Sequence, residues 1–228
     1  GAQPGNIVSD ASGSRCVGST HAYADNGNYD VIISVTDSHA AAGVKTESKT
    51  VANALPVVGA LDINLRPSTE NQAIVISANF TDAGANDADW TCTVDFGDGV
   101  SEAGVVANGT CRAGTHTYTD NGAFDVTISV TDKDGGTGTR TASMVVNNVV
   151  PSLTGVANDG PITEGGAATI TATASDVAAA ADPLEYWFDC KGDGFWEVGP
   201  QSESTAACTY QDNSMYEARV RVGDGDGG

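Results

Sequence analysis

HTYTDNGAFDVTISVTDKDGGTG, residues 116–138, is a strand written between two turns. Phe124, Val126, Ile128 and Val130 are apolar, and Asp125, Thr127 and Ser129 between them are polar. Side chains of an extended chain alternate between faces, so this period of two predicts a β-strand with one face in a core and one in water. Asp120-Asn121-Gly122 precedes it, and Asp132-Lys133-Asp134-Gly135-Gly136 follows. Both are built from residues that turn the chain or tolerate positive φ. The stretch recurs as HAYADNGNYDVIISVTDSHAAAG at 21–43 and as YQDNSMYEARVRVGDGDGG at 210–228.

The first two copies align without a gap: Cys16 and Cys111, His21 and His116, Gly43 and Gly138, and Pro56 and Pro151 are each 95 residues apart. Asp120 and Asp212, and Asp132 and Asp224, are 92 apart. Repetition at this period predicts an array of small units, each large enough to bury a modest core. The boundaries fall at 1–55 (the C-terminal part of a repeat), 56–149 (a complete repeat) and 150–228 (a repeat without its last strand). The incomplete ends are expected to reflect a window on a longer array; completion by strands from neighbouring copies is the alternative.

In the middle unit, strands are expected at 73–80, 90–96, 124–130 and 140–146, with an acidic loop at 81–89 and the turn Gly97-Asp98-Gly99. The third unit repeats the plan with strands at 168–174 and 185–189 and the turn Gly192-Asp193-Gly194. In the first unit, 1–18 reads as loop, followed by strands at 21–23, 29–35 and 45–51. Short strands, abundant glycine and no helical periodicity predict an all-β class, a tandem set of sandwiches in an extended array.

Thirty acidic residues against ten basic ones give a net charge of −20. Such a surface repels nucleic acid and anionic lipid, so neither is an expected partner. The aspartates allow two readings, oxygen ligands for a hard cation such as Ca²⁺ or a solubilising surface. No apolar run approaches the roughly 20 residues that span a bilayer, so no membrane insertion is expected of this segment. The start, Gly-Ala-Gln-Pro, does not read as a signal peptide.

Val94-Asp95-Phe96-Gly97-Asp98-Gly99, followed by HTYTDNGAFDVTISVTD, resembles the signature of PKD (polycystic kidney disease) domains. The resemblance covers the whole middle unit, the second half of the first and most of the third. The third departs at Asp189-Cys190-Lys191-Gly192-Asp193-Gly194, which carries an extra residue. It implies immunoglobulin-like β-sandwiches of the kind found on cell surfaces and beside secreted enzymes. It also implies that Tyr29 and Tyr216 are tyrosine-corner residues whose hydroxyls bond backbone upstream, a bond Phe124 cannot make. Some PKD-like domains bind Ca²⁺, so the resemblance permits that ion.

With one cysteine pair per unit, Cys92 goes with Cys111 and Cys190 with Cys208, while Cys16, the counterpart of Cys111, has its expected partner upstream of Gly1. Disulfides imply an oxidising, extracellular or cell-surface compartment. Buried free thiols are the alternative, and a zinc site lacks both C-x₂-C spacing and a second ligand near His21 or His116.

No G-x-S-x-G or H-E-x-x-H occurs, and His21 and His116 are repeat equivalents, so the chain does not read as an enzyme. For Ca²⁺ the candidates are Asp82, Asp87 and Asp89 in one loop, Asp132 and Asp134 in a second, expected to face the following unit, and Asp224 and Asp226. Asp189 to Glu197 forms a further oxygen-rich loop. Trp187, Trp196 and Trp90 are candidates for sugar stacking, with one of Trp187 and Phe188 in the core. Asn79 and Asn108 sit in glycosylation sequons. The expected role is a structural or adhesive segment of a larger secreted or surface protein. Its partners would be neighbouring repeats, surface proteins or extracellular polymers, with self-assembly into filaments or arrays as a further option. The alternative is an accessory module that holds polysaccharide or collagen for an extracellular hydrolase.

Overall fold

A computed structural model describes residues 3–228, and among them the regular elements are all β-strands. The first segment contributes β1 (Asn6–Asp10), β2 (Gly13–Val17), β3 (Gly27–Thr36) and β4 (Ala42–Val51). The middle segment contributes β5 (Val57–Ile63), β6 (Ser68–Thr69), β7 (Ile74–Thr81), β8 (Thr91–Asp95), β9 (Ser101–Ala103), β10 (Val105–Ala107), β11 (Thr110–His116), β12 (Gly122–Thr131) and β13 (Thr137–Asn147). The third contributes β14 (Ser152–Asn158), β15 (Ala167–Ser175), β16 (Glu185–Asp189), β17 (Val198–Gln201), β18 (Thr205–Thr209) and β19 (Arg219–Gly223).

The middle strands form two facing sheets, β10-β11-β7-β5 and β6-β13-β12-β8-β9. Alternation decides what lies between them. Ile74 and Ile76 of β7, Val94 of β8, and Val126, Ile128 and Val130 of β12 are fully buried, together with Phe96 and Met144. Fully burying such a side chain stabilises by about 1.5–3 kcal/mol relative to exposure. The third segment repeats the plan with sheets β14-β15-β18 and β17-β16-β19 around a smaller core of Ile170, Tyr186, Phe188 and the cysteine pair.

Both cysteine pairs form disulfides, Cys92–Cys111 and Cys190–Cys208, and each joins the two sheets of its sandwich. The turn after β8 needs glycine: Gly97 has φ +81° and a Cβ there would sit 2.8 Å from the Asp125 backbone nitrogen. Gly192 repeats this with φ +71°, so the extra residue in the third segment is absorbed before the glycine. Behind each turn a tyrosine fixes the loop: Tyr118 donates to the Phe96 carbonyl at 2.8 Å, and Tyr210 donates to the Cys190 carbonyl at 2.9 Å. Burial raises the Tyr118 hydroxyl to a pKa of about 12.

The tyrosine corners stand where the alignment puts them. Tyr29 donates to the Asp25 carbonyl at 2.9 Å and Tyr216 to the Asp212 carbonyl at 3.3 Å.

Two expectations fail in the first segment. Residues 1–18 are not all loop, because β1 and β2 pair as a hairpin around a turn in which Asp10 accepts the Ser12 amide. Residues 21–23 are not a strand. Their counterpart His116 ends β11 by pairing with Ile74 of β7, and no strand plays that part beside 21–23 among the described residues. For the same reason Val31, Ile33 and Val35 of β3 stay at about 40% exposure, with β4 as the one strand paired to β3.

Candidate metal centres between the segments

The acidic loops gather where one segment meets the next. Asp132 to Gly136 is the turn between β12 and β13, and it lies against the segment before it, correcting the expectation that it faces the one after. The reason is topological: β12 runs back toward the end of the sandwich where the chain enters. There Asn53 donates to Asp132 at 2.8 Å, and the Asn86 amide donates to the Ala24 carbonyl at 3.1 Å.

At this first junction the carboxylates of Asp25, Asp87 and Asp134 lie within 4.8 Å of one another, as do those of Asp82, Asp87 and Asp132. Lys133 sits among them, with Nζ 2.8 Å from Asp25, 3.3 Å from buried Asp87 and 2.5 Å from Asp134. The hydrogen bonds from Asp134 and Asp25 hold the ammonium well above the usual lysine range. Burial pushes Asp87 up, and Lys133 opposes that rise. The Asn53 amide is the main reason Asp132 is held below the usual carboxylate range.

The second junction uses the equivalent residues. Asn148, 95 residues after Asn53, donates to Asp224 at 2.8 Å. Burial would raise Asp224, but Asn148 and the amides of Gly228 and Asp226 outweigh it and lower the pKa. Asp182, 95 residues after Asp87, belongs to two carboxylate triads, one with Glu70 and Asp176 and one with Asp120 and Asp226. Gly225 stands where Lys133 stands in the first junction. Asp182 is 1% exposed, and neither of its oxygens meets a donor among the described residues. Glu70 Oε1, Asp176 Oδ2 and Asn148 Oδ1 are buried without partners as well. Burial first, then Glu70, Asp120, Asp226 and Asp176, push Asp182 up to about 6.

Of the residues singled out in the sequence, Asp82, Asp87, Asp132 and Asp134 are brought together at the first junction, and Asp226 joins the second. Asp224 supports the second as a turn former, its Oδ1 taking two backbone amides. Asp89 is exposed, with φ +77°, and belongs to neither cluster. Asp25, Glu70, Asp120, Asp176 and Asp182 were not among the ligands expected from the sequence. The 95-residue spacing was the available signal, since it relates Asp25 to Asp120 and Asp87 to Asp182.

The remaining candidates are satisfied by the chain itself. Asp189, Asp193 and Glu197 cluster, but Asp189 accepts backbone amides from Lys191, Gly192, Asp193 and Gly194. Those bonds overcome burial and lower its pKa. Glu197 accepts the Cys190 amide at 2.7 Å. Phe188 is the core residue of its pair, and Trp187 stacks instead on Arg221, which lies 4.0 Å from its ring centre and 5.4 Å from that of Trp196. His116 stacks on Phe96 and pairs with Asp98 at 2.8 Å. Two open grooves of about 410 Å³ each, on the first and third segments, include no residue of the junction clusters.

The PKD domain family model matches residues 53–146. A comparison with curated protein sequences gave no match. Among solved structures, a carbohydrate-binding module of the β-sandwich superfamily, described for its promiscuous specificity, is 15% identical, with 75% of this chain and 85% of that one covered and a TM-score of 0.36. Extracellular cadherin domains 1–5 of protocadherin gamma B2 are 13% identical, with 90% of this chain covered and a TM-score of 0.35. The EC3-6 cis-dimer of protocadherin gammaB7 is 12% identical, with 94% covered and a TM-score of 0.38. The chain spans 43% and 56% of those two protocadherin structures.

Proposed function

We propose that this chain is a non-catalytic, extracellular run of tandem PKD-like units, divided near residues 56 and 150, that spaces or joins other parts of a larger secreted or surface protein. The contacts between successive segments carry the reading. Lys133 and the Asn86 amide reach back to Asp25 and Ala24, and the Asn71 amide reaches forward to the Val177 carbonyl. Each of these ties two segments through loops that recur with the repeat. Two disulfides that staple sheet to sheet support an oxidising setting. The acidic loops belong to this role as cation ligands at the joints rather than as catalytic carboxylates.

A second reading, an accessory module that grips an extracellular polymer, is favoured by one surface. Phe195 is 75% exposed and Trp196 39% exposed beside Arg221, a pairing able to stack on sugar rings. A pull-down on insoluble polysaccharide and on collagen separates the two. The joining role predicts that the chain stays in solution. Retention that is lost on Trp196→Ala replaces that role with the accessory one.

A further inference from the structure

The two junctions are built from the same positions and differ in what neutralises them. In the first, a cage of carboxylates from two segments closes around the Lys133 ammonium. In the second, Gly225 removes that side chain, while the acidic positions remain as Asp120, Asp176, Asp182 and Asp226, and Glu70 of the middle segment lies with them. A buried carboxylate is tolerated when a cation or several donors accompany it. Asp87 has its lysine at 3.3 Å. Asp182, which is more completely surrounded by acid, has neither a lysine nor a donor.

We propose that the second junction is a Ca²⁺ site pivoted on Asp182, with Glu70 and Asp120 supplied by the middle segment and Asp176, Asp182 and Asp226 by the third. The ion takes the place that the lysine ammonium occupies in the first junction. Glu70, Asp176 and Asp182 form one carboxylate triad and Asp120, Asp182 and Asp226 a second, so the clustered ligand atoms around Asp182 are all oxygen. Calcium accepts six to eight such ligands in flexible geometry, whereas magnesium holds out for octahedral order and keeps its water. No cysteine or histidine belongs to the cluster, which disfavours zinc. Because the ligands come from both sides of the 147–151 linker, the ion would also fix the two segments to each other. The observation that points to a ligand, beyond the clustering of acid, is the pair of unpartnered and fully buried oxygens of Asp182.

The inference rests on the tandem reading proposed above and is tested separately from it. The full 228-residue chain is stripped with EGTA and titrated with CaCl₂ by calorimetry, and its melting is followed with and without the ion. Binding of the metal must raise the melting temperature, because the unfolded chain has no assembled site. The expected result is saturable Ca²⁺ binding that Asp182→Asn weakens by about tenfold or more, since ligand charge sets affinity in such sites. Glu70→Gln, a second substitution on the other segment, is expected to weaken it in the same direction. Asp182→Asn should fold at least as well as the parent without metal, since it removes an uncompensated buried charge. No saturable binding, or binding that neither substitution alters, overturns the site. Either result leaves the polymer pull-down to judge the tandem role.

Discussion

The junction at Lys133 and the junction at Gly225 are the same structure with opposite answers to one electrostatic problem. Both bring an aspartate-rich turn, Asp132 to Gly136 or Asp224 to Gly228, against the Asp-Asn turn of the segment before it, Asp25-Asn26 or Asp120-Asn121. Both use an asparagine, Asn53 or Asn148, to hold the first aspartate of the turn. Lys133 in the first stands where Gly225 stands in the second, and Glu70 joins the second cluster. The lysine gives the first junction a covalently attached cation, 3.3 Å from Asp87, although Asp87 Oδ1 and Asn53 Oδ1 still lack a hydrogen-bond partner. The glycine supplies the second with no cation, and the proposed Ca²⁺ takes that place. An array can thus mix permanent joints with ion-controlled ones while keeping one repeat plan.

The largest test removes the attached cation. Lys133→Met keeps most of the stem and deletes the charge, leaving buried Asp87 facing Asp25 and Asp134 without a counter-ion. Without metal, its melting temperature should drop below that of the parent. With CaCl₂ the first junction should become a site like the second, so calorimetry should count one more equivalent of Ca²⁺ than in the parent. A drop in stability with no added equivalent breaks the analogy between ammonium and ion.

How much of this was readable in advance depends on the kind of residue. The strands were legible because Phe124 to Val130 and Ile74 to Phe80 face a core on one side and water on the other, and alternation records that. The disulfides followed from one pair per repeat. The cation cage was half legible. Asp82, Asp87, Asp132 and Asp134 stand out because turns collect aspartate, but turns use aspartate for backbone bonds too, as Asp189 and Asp224 show. What separates a ligand from a turn former is the surroundings it acquires across the junction. Glu70, in the loop before β7, meets Asp182 through space rather than sequence. For the same reason the sequence placed Asp132 at the wrong end of its sandwich. β3 teaches the converse: it shares the pattern of β12, yet Val31, Ile33 and Val35 stay exposed, with β4 as the one strand paired to it among the described residues.

Acid sharpens the comparison at the second junction. Asp182 is faced by Glu70 from the middle segment's β6–β7 loop, Asp120 from its β11–β12 turn, Asp176 from its own loop and Asp226 from the final turn. A carboxyl whose folded pKa is raised adds stability that is complete below its ordinary value and is lost as pH rises through the folded value. With Asp182 at about 6, the metal-free chain should lose stability between about pH 4 and pH 7. Asp182→Asn should remove that component of the slope, and saturating CaCl₂ should reverse it at neutral pH. The first junction should contribute less, because Lys133 opposes the rise at Asp87. Melting curves in EGTA across this range measure the effect, and a parent slope that matches that of Asp182→Asn would falsify it.

The smallest effect concerns how firmly each cage is held. At the first junction, Tyr29 donates to the Asp25 carbonyl at 2.9 Å and so anchors a residue of the cage through its own backbone. At the second, the equivalent residue is Phe124, stacked on Tyr118 at 4.3 Å much as Tyr29 stacks on Tyr23 at 4.5 Å, but with no hydroxyl to reach Asp120. Phe124→Tyr should restore that bond and stabilise the middle sandwich by about 1 kcal/mol or less, the net worth of a neutral hydrogen bond. Part of that gain should appear as tighter calcium binding, because Asp120 would no longer need ordering when the ion enters, and rigid ligands lose less on binding. The expected change in affinity is about threefold or smaller, since 1.4 kcal/mol corresponds to tenfold. If stability rises and affinity does not move, the corner acts on the sandwich alone and Asp120 is already ordered by its turn.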